Sequence, residues 1–429
     1  QTPNPKPQTP TPITLIIITV ILNNKFKLAR ILEHDRGNFC LLKNRPIGDA
    51  VNEPTAMPVD ISPFEELEEF FKFLDSNGEV VVNNFGDDPC MEFGRGAIYE
   101  DKRMDLCKQV VGPTWIGNLM KSLQSNDKVE HFLLGNNIIG EAGGKAIKEF
   151  LLNPHVPKIK TWYVAGNNLN SKAISNIVDG LESDPDMVSL WLKRNPLKPE
   201  GIQHIARLLK SNQKIKVLDL HNTAVLDKGI EYLVTGLKAN RSLRHLYLDA
   251  NGLTEACLDN LIDYFEYLIT NDLIGVTSLW LDMNKLFDTG VSKLVKVLGQ
   301  YKHLKRLVLG SNGLTDACVD DIVDAFVDHP NLIVLDIGMY KSTSDMGMIT
   351  NNIGDVGAAK LCRLIESNKK IIFLNIMMNG ITEKGLELIG ESTKRNNSLL
   401  YFEYKQYGVQ TPQSVNTVIQ NKLKSNWED

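Results

Sequence analysis

The sequence predicts an α/β fold, a right-handed solenoid or horseshoe of about eleven repeats with parallel strands on its concave side and helices on its convex side. The pattern apolar-x-x-apolar-x-apolar-x-x-Asn-x-apolar recurs along the chain, as in "LRHLYLDANGL" at residues 243–253, and most successive copies are 28 residues apart. Between these strand motifs, apolar residues follow helical spacing, as in "PEGIQHIARLLKSN". One copy cannot bury its apolar face alone, so the copies are expected to stack.

An asparagine anchors most copies at the bend that follows the strand. An amide that points inward there can satisfy backbone groups of its own coil and of the next, so a structural role is favoured over a catalytic one. The alignment places Thr223 at the anchor position of one copy, Tyr340 and Tyr407 in two others, and Gln109 in a degenerate first copy. The expected ladder consists of Asn137, Asn167, Asn195, Asn251, Asn284, Asn312 and Asn379.

The chain before the repeats divides by composition. Residues 1–12 are rich in Pro and Thr and predict a flexible tail. Residues 13–61 are irregular and contain the apolar run "ITLIIITVIL" at Ile13–Leu22. That run is roughly half as long as a membrane-spanning helix, so no membrane span is predicted. A buried, β-branched segment is favoured, and a targeting remnant is the alternative.

Caps are expected at both ends of the repeats. Residues 62–100 predict an amino-terminal cap made of a helix, the strand "EVVVNNF" and the hairpin "CMEFGRGAIY". In that helix Ser62 is expected as the N-cap residue, Pro63 at the first helical position and Glu65 as the partner in a capping box. The repeats are assigned to residues 101–410, with a polar insertion at 340–352, and a capping helix to residues 411–429.

Composition restricts the function. A net charge of −5 and a pI near 6.0 lack the basic footprint of a nucleic-acid-binding protein. The six cysteines are scattered without a CxxC pair, as in proteins of a reducing, cytoplasmic compartment. The two glycosylation sequons, at Asn240 and Asn396, occupy the same loop position of the repeat and are interpreted as turn residues. No HExxH, P-loop, GxSxG or zinc spacing occurs, so neither a metal nor a cofactor is expected.

The dominant 28-residue period, with a full helix after "NxLxxxG" or "NxLTxxC", resembles the ribonuclease-inhibitor-like class of leucine-rich repeat proteins over about residues 102–409. Members of that class include inhibitors, GTPase activators, sensor regions of immune receptors and host-directed bacterial effectors. The resemblance therefore implies a non-enzymatic protein-binding platform. The alternatives are a regulator of a small GTPase of the Ran-directed type, whose acidic tail is not matched by the ending "KSNWED", and an exported effector that acts in a host cytosol.

Alternation along the strands predicts which side chains face the concave surface. Trp and Tyr dominate interface energetics, so the aromatic residues among them are expected to bind a partner, unless they only cover one another. The neighbouring aspartates would repel, which suggests a protein partner with a basic patch. His221 beside Asp249 could form a catalytic dyad or a metal site, but a solvated or partner-facing ion pair is favoured. The candidate residues are Tyr163, Trp191, Lys193, Arg194, Asp219, His221, Tyr247, Asp249, Trp280, Asp282 and Asp336.

Overall fold

The computed structural model describes residues 45–47, 51–54, 58–82, 89–153, 158–340, 343 and 346–428. The chain forms two compact units. Unit 1 comprises Gln1–Pro46 and Glu53–Thr223, and unit 2 comprises Ile47–Asn52 and Ala224–Asp429. The boundary falls inside the segment predicted as one repeat array. The predicted tail and most of the irregular segment after it lie outside the described residues.

Unit 1 alternates strands and helices. Its elements are helix α1 (Phe64–Asp75), strands β3 (Cys90–Glu92), β4 (Ala97–Tyr99) and β5 (Arg103–Asp105), helix α2 (Gly112–Ser122), strand β6 (His131–Leu133), helix α3 (Gly140–Leu151), strand β7 (Thr161–Tyr163), helix α4 (Ser171–Leu181), strand β8 (Ser189–Trp191), helix α5 (Lys198–Ser211) and strand β9 (Val217–Asp219). Strands β3 to β5 pair antiparallel, and β5 to β9 pair parallel in chain order. Two short strands precede these elements, β1 (Arg45–Ile47) and β2 (Val51–Glu53).

Unit 2 continues the alternation. Its elements are helix α6 (Leu226–Ala239), strand β10 (His245–Tyr247), helix α7 (Leu258–Thr270), strand β11 (Ser278–Trp280), helix α8 (Phe287–Leu298), strand β12 (Arg306–Val308), helix α9 (Val319–Phe326), strand β13 (Val334–Asp336), helix α10 (Asp355–Ser367), strand β14 (Phe373–Asn375), helix α11 (Glu383–Thr393), strand β15 (Tyr401–Glu403) and helix α12 (Gln413–Glu428). Strands β10 to β15 pair parallel in chain order. The predicted α/β solenoid class is confirmed.

The core lies between the strands and the helices. The middle residue of each repeat strand points toward the helices, and in unit 2 the register aligns Leu246 with Leu279 and Leu279 with Leu307. All three leucines are buried, at 0–1% exposure. The amphipathic helices supply the other side, for example Leu294 and Leu298 of α8. Each repeat therefore buries its apolar face against its neighbours in the sequence.

The amino-terminal cap differs from the prediction at the start of its helix. Helix α1 begins at Phe64, and Pro63 is the N-cap residue without a side-chain capping bond, so the predicted capping box is wrong. The Ser62 hydroxyl donates instead to the carbonyl oxygen of Gln109 at 2.6 Å. The Ser62 hydroxyl does not cap the helix because it makes this hydrogen bond, which connects the start of the helix to the first repeat. The predicted hairpin forms as β3 and β4, whereas residues 79–82 of "EVVVNNF" are not in a strand and the rest of that stretch lies outside the described residues.

The anchor asparagines connect consecutive repeats through hydrogen bonds. Asn167 donates from Nδ2 to the carbonyl oxygens of Leu134 and Ala165, and its Oδ1 accepts from the backbone N–H of Asn137. Asn284 makes the same pattern in unit 2, with donation to the carbonyl oxygen of Leu248 and acceptance from the N–H of Asn251. Asn137, Asn167, Asn195, Asn251, Asn284 and Asn312 are fully buried, and Asn379 is half-buried.

Two positions of the ladder are filled by residues other than those aligned from the sequence. Asn351, not Tyr340, accepts from the backbone N–H of Asn312 and donates to the carbonyl oxygen of Ile337. The insertion thus lies between strand β13 and its anchor. Near the carboxyl end Gln406, not Tyr407, accepts from the N–H of Asn379 at 2.7 Å. The longer glutamine side chain reaches the ladder from one residue earlier, and Tyr407 is left 84% exposed.

A second set of buried amides holds the turns that follow the helices. Asn240 accepts through Oδ1 from the N–H groups of Ser242 and Leu243, and Asn396 does the same with Ser398 and Leu399. The two sequon asparagines are therefore turn residues, as the sequence predicted. Equivalent turns contain Asn126, Asn212 and Asn368. Several amides of this set donate back to the previous repeat, as Asn396 does to the carbonyl oxygen of Ile365.

Candidate partner-binding face

We use the term open face for the side of the repeat strands opposite the helices, and describe it separately in each unit. It is formed by the first and third residues of each three-residue strand and by the second residue after the end of the strand. All eleven residues that the sequence predicted for partner binding lie in these strands or in the turns directly after them.

In unit 1 the open face carries two neighbouring aromatic rings. The ring centroids of Tyr163 and Trp191 are 6.1 Å apart and tilted by 45°. The ring of Tyr163 also lies over Gly135, where a Cβ atom would meet its Cε1 at 2.6 Å. The Lys193 ammonium is 5.6 Å from the centroid of Tyr163. Glycine at residue 135 thus makes room for the tyrosine.

In unit 2 the aromatic pair is packed more closely. The rings of Tyr247 and Trp280 stack at 3.8 Å with an interplanar angle of 15°. On β12, the Arg306 guanidinium lies 4.9 Å from the centroid of Trp280, in cation–π geometry. Two stacked rings and one guanidinium group therefore lie side by side on three consecutive strands. Arg306 was not among the residues that the sequence indicated, although it occupies the first position of the strand motif "RLVL".

The aspartates of the open face bind backbone N–H groups. In unit 1 Asp219 Oδ1 accepts from the N–H of His221 at 2.9 Å. In unit 2 Asp249 Oδ1 accepts from the N–H of Asp282 at 2.9 Å, and Asp282 Oδ1 accepts from the N–H of Gly310 at 2.6 Å. Asp336 accepts from the N–H of Gly338 and from Asn375 Nδ2. These bonds position the carboxylates at the strand ends, a role that the sequence analysis did not anticipate.

The carboxyl group of Asp282 is buried close to two other acidic side chains. Burial raises the pKa of this carboxyl group well above its usual range, and the negative charges of Asp249 and Asp336 raise it further. The hydrogen bond from Gly310 opposes the rise. The raised pKa favours proton uptake by Asp282, which would reduce the repulsion within the row.

The histidines of the open faces are neutral at physiological pH. Burial lowers the pKa of His221 to about 3 and that of His245 to about 3. Nearby cations lower it further, Arg194 and Lys193 for His221, and Arg306 for His245. Among the described residues none makes a hydrogen bond to His245 Nδ1. In the part of the chain that the structure describes, no group of three or more His, Cys, Asp and Glu residues is placed to hold a metal ion.

The side chains of this face are less accessible than the sequence suggested. Tyr163 and Tyr247 are 8% exposed, and Trp191 and Trp280 are 6% exposed. The other buried candidates are Asp219, His221, Asp249 and Asp282, whereas Lys193, Arg194 and Asp336 are half-buried. The mutual covering of aromatic rings that the sequence left open contributes in both units. A partner that uses these rings must reach side chains that are covered in this structure.

Cys107 is a further buried group on the open face of unit 1. Its sulfur accepts from the N–H of Gly135, and its own N–H donates to Asp105 Oδ1 at 2.8 Å. Burial raises the pKa of its thiol, and the negative charge of Asp105 adds to the rise. A thiol that stays protonated is a packing group rather than a nucleophile.

Comparisons with known proteins give limited support. No family model matches the chain. The FERM domain-containing protein C of Dictyostelium discoideum is 27% identical over 168 residues, which cover 34% of this chain and 11% of that protein. The chain thus spans about a tenth of the length of the curated relative that it matches.

Two solved structures show partial similarity. A chain of the yeast Rad7 and Elc1 complex has a TM-score of 0.41 and 15% identity, covering 67% of this chain and 72% of that one. The carboxy-terminal domain of tropomodulin from Caenorhabditis elegans has a TM-score of 0.25 and 10% identity, covering 53% of this chain and 93% of that one. The assignment of a leucine-rich-repeat-like solenoid therefore rests on the repeated strand and helix pattern of the chain itself.

Proposed function

We propose that the chain is a non-enzymatic protein-interaction scaffold whose open faces bind a protein partner. The observation that carries this proposal is the presence of large aromatic side chains at Tyr163, Trp191, Tyr247 and Trp280 on the side of the strands away from the helices. The core between strands and helices does not need them there. Trp and Tyr provide much of the binding energy in protein interfaces, particularly near the centre of an interface.

A partner with a basic patch fits the charges of the open face. In unit 2, Asp249 and Asp282 lie in the turns after β10 and β11, and Asp336 ends β13. In unit 1, Asp219 ends β9. Such charges contribute orientation and association rate more than affinity. Because the pKa of Asp282 is raised, the other aspartates would supply more of the negative charge near neutral pH.

We further propose that the repeats are of the ribonuclease-inhibitor-like type and that the protein acts in a reducing, cytoplasmic compartment. Helices of 11 to 14 residues follow most strands in both units, which supports the first part. The cysteines at residues 90, 107, 257, 318 and 362 are all free thiols, which supports the second. None of the described helices is long and apolar enough to cross a bilayer.

The test compares two variants of the chain, both substituted in unit 2. Trp280→Ala removes a ring of the open face, and Lys293→Ala changes an exposed side chain of helix α8 as the matched control. Partners are captured from cell extract on immobilised wild-type chain, purified, and their affinity for each chain is measured by biolayer interferometry. We expect Trp280→Ala to weaken binding about 30-fold, as for a hot-spot residue, and Lys293→Ala to leave it unchanged.

Circular dichroism must show that both variants are folded. Equal affinity of every captured partner for wild type and Trp280→Ala would exclude the open face of unit 2 as the binding site. The same measurement with Trp191→Ala examines the open face of unit 1.

A further inference from the structure

We use the term amino edge for the edge of the parallel strands at which they begin, and unit 1 holds a carboxylate between two cations there. Lys102, Glu130 and Lys160 directly precede strands β5, β6 and β7. Lys102 Nζ is 2.6 Å from one carboxylate oxygen of Glu130, and Lys160 forms an ion pair with the other oxygen. These hydrogen bonds lower the pKa of Glu130 to about 2. The amino edge of unit 1 therefore recognises a carboxylate with two long cationic side chains.

The amino edge of unit 2 repeats this backbone arrangement with a different middle residue. Arg244, Thr277 and Lys305 directly precede strands β10, β11 and β12. The N–H of Thr277 donates to the carbonyl oxygen of Arg244 at 2.9 Å, and the N–H of Lys305 donates to that of Thr277 at 2.7 Å. The corresponding bonds among the three residues of unit 1 measure 3.0 and 2.7 Å. The positions are thus equivalent, and a threonine stands between the two cations where unit 1 has a glutamate.

The two cations of this edge keep hydrogen-bond donors for an acceptor. Among the residues that the structure describes, neither Arg244 nor Lys305 forms a salt bridge. Arg244 donates from Nη1 to three backbone carbonyl oxygens, those of Arg241, Leu243 and Gly275. Its Nε and Nη2 carry further N–H groups, and a guanidinium group can present two of these side by side to a carboxylate. Lys305 is exposed, so its ammonium group is accessible to an outside ligand.

The histidines that begin β6 and β10 show how the two edges differ in charge. His245, directly after Arg244, has its pKa lowered by burial and then by three cations, which include Arg244 and Lys305. His131, directly after Glu130, has its pKa lowered mainly by burial, and nearby carboxylates oppose that effect. The positive charge at the amino edge of unit 2 is therefore less compensated than at that of unit 1, although the chain as a whole has a net charge of −5.

We propose that the amino edge of unit 2 binds a carboxylate of an acidic peptide segment, held between Arg244 and Lys305 as Glu130 is held in unit 1. The two cations are two strands apart, about 10 Å at the usual strand spacing, as are the two lysines of unit 1. Thr277 is 7% exposed and too short to supply the carboxylate itself. Arginine favours a carboxylate because its planar group matches the two oxygens.

This site would give a direction to the partner of the open face of unit 2, a consequence that rests on the proposed partner binding. Asp249, Asp282 and Asp336 lie at or after the opposite ends of the strands in this unit. A partner would then place an acidic group where the strands begin and basic groups where they end. Like charges would meet if the partner docked the other way round, and this disfavours the reversed orientation.

Binding of a labelled acidic peptide tests the site without a captured partner. The probe is a fluorescein-labelled peptide of alternating Glu and Gly, and its control has Gln in place of Glu. Fluorescence anisotropy is measured at low ionic strength, where charges are weakly screened. The test variants are Arg244→Gln with Lys305→Gln, and Thr277→Glu compared with Thr277→Gln. The matched control is Lys293→Gln with Lys384→Gln, which removes two exposed cations from helices α8 and α11.

We expect the Glu peptide to bind the wild-type chain more tightly than the Gln peptide. The loss of both site cations should weaken its binding about tenfold, as for two surface ion pairs, and the lysine control should not. Thr277→Glu should bind it more weakly than Thr277→Gln, because the introduced carboxylate engages the two cations. Circular dichroism must show that the variants are folded, and if Thr277→Glu is not, the variant without the site cations decides.

Equal binding of the Glu and Gln peptides, or an equal loss in the lysine control, would overturn the proposal. Release of the peptide by inorganic phosphate more readily than by glutarate, at the same ionic strength, would show a phosphate site and overturn it as well. The capture experiment with Trp280→Ala is independent of these results. If that experiment excludes the open face of unit 2 while the peptide result stands, the carboxylate site remains and only its role in orienting the partner is lost.

Discussion

At the scale of single residues, the environment of Asp282 opposes its charge. Asp282 is 5% exposed and lies in the turn after β11, next to Asp249, whose Oδ1 accepts from the N–H of Asp282 itself. Burial and the negative charges of Asp249 and Asp336 raise its pKa above 3.8. The backbone N–H of Gly310 is a compensating donor that either an Asp or an Asn side chain could use. The negative charge, not the oxygen atom, is therefore the destabilising element.

Asp282 should make the protein less stable as the pH rises. Because its pKa is higher in the folded than in the unfolded state, the folded state binds more protons above about pH 4, and the free energy of unfolding falls as the pH increases through that range. Asp282→Asn removes this contribution and keeps an oxygen for the N–H of Gly310. We expect the variant to lose less stability than wild type between about pH 4 and pH 8, measured by urea unfolding.

Asp272 provides the control for that measurement. Its side chain is 81% exposed and its pKa is lowered by the hydrogen bond from Lys302. Asp272→Asn should therefore leave the downward slope of wild type in place. If Asp282→Asn and Asp272→Asn show the same dependence on pH, Asp282 does not carry the buried charge that its position implies.

At the scale of elements, the hydrogen-bond ladder depends on the amide group rather than on the aligned position. Gln406 is 6% exposed, donates to the carbonyl oxygens of Ile376 and Tyr404, both at 2.9 Å, and accepts from the N–H of Asn379. Gln406→Ala would remove the hydrogen bonds to the carbonyl oxygen of Tyr404 and from the N–H of Asn379, whereas the carbonyl oxygen of Ile376 still accepts from Asn379 Nδ2. A buried unsatisfied group costs about 1 to 3 kcal/mol, and we expect a loss of roughly 2 to 4 kcal/mol in the free energy of unfolding.

The neighbouring residue serves as the matched control for Gln406. Tyr407 is 84% exposed, and Tyr407→Ala should change the free energy of unfolding by no more than about 0.5 kcal/mol. Urea unfolding followed by circular dichroism measures both variants. A larger loss in Tyr407→Ala than in Gln406→Ala would restore the tyrosine to the ladder, where the sequence alignment placed it.

The sequence predicted the elements that depend on periodicity. Leu246, Leu279 and Leu307 follow the period and are core residues, and the buried anchors from Asn137 to Asn312 follow it as well. Asn351 and Gln406 were missed because an insertion and a longer amide moved the hydrogen-bonding group away from the expected position. The amides of the second set had a recognisable signal, since an asparagine recurs shortly after the helices, in "SNDK", "SNQK" and "SNKK".

The candidate site was harder to predict than the fold. Alternation placed Tyr247 and Trp280 on the open face, but period alone does not reveal that they stack at 3.8 Å or are nearly buried. The exposure of these side chains depends on their neighbours in the folded chain, and the strand motif alone does not predict those neighbours. The aspartates illustrate the same point, because Asp282 binds the N–H of Gly310 in the next repeat and this contact exists only after the repeats stack.

At the scale of the whole molecule, each unit is built from contacts between neighbours in the sequence. In unit 1 helix α3 packs against α2 and α4, and in unit 2 helix α8 packs against α7 and α9. The strands pair in chain order in the same way. Stability in such an array is approximately a sum of repeat and interface contributions. A local defect should therefore weaken its own repeat and adjacent repeats more than distant ones.

Leu279→Ala in unit 2 would reveal this locality. Leu279 is fully buried on β11 between Leu246 and Leu307, and truncating it should cost about 2 to 5 kcal/mol through lost burial and the cavity that remains. Hydrogen exchange measured by mass spectrometry should show the largest loss of protection at β10 to β12, and a smaller loss at β14 and β15. Equal loss over all six strands of unit 2 would show that this unit unfolds as one cooperative block instead.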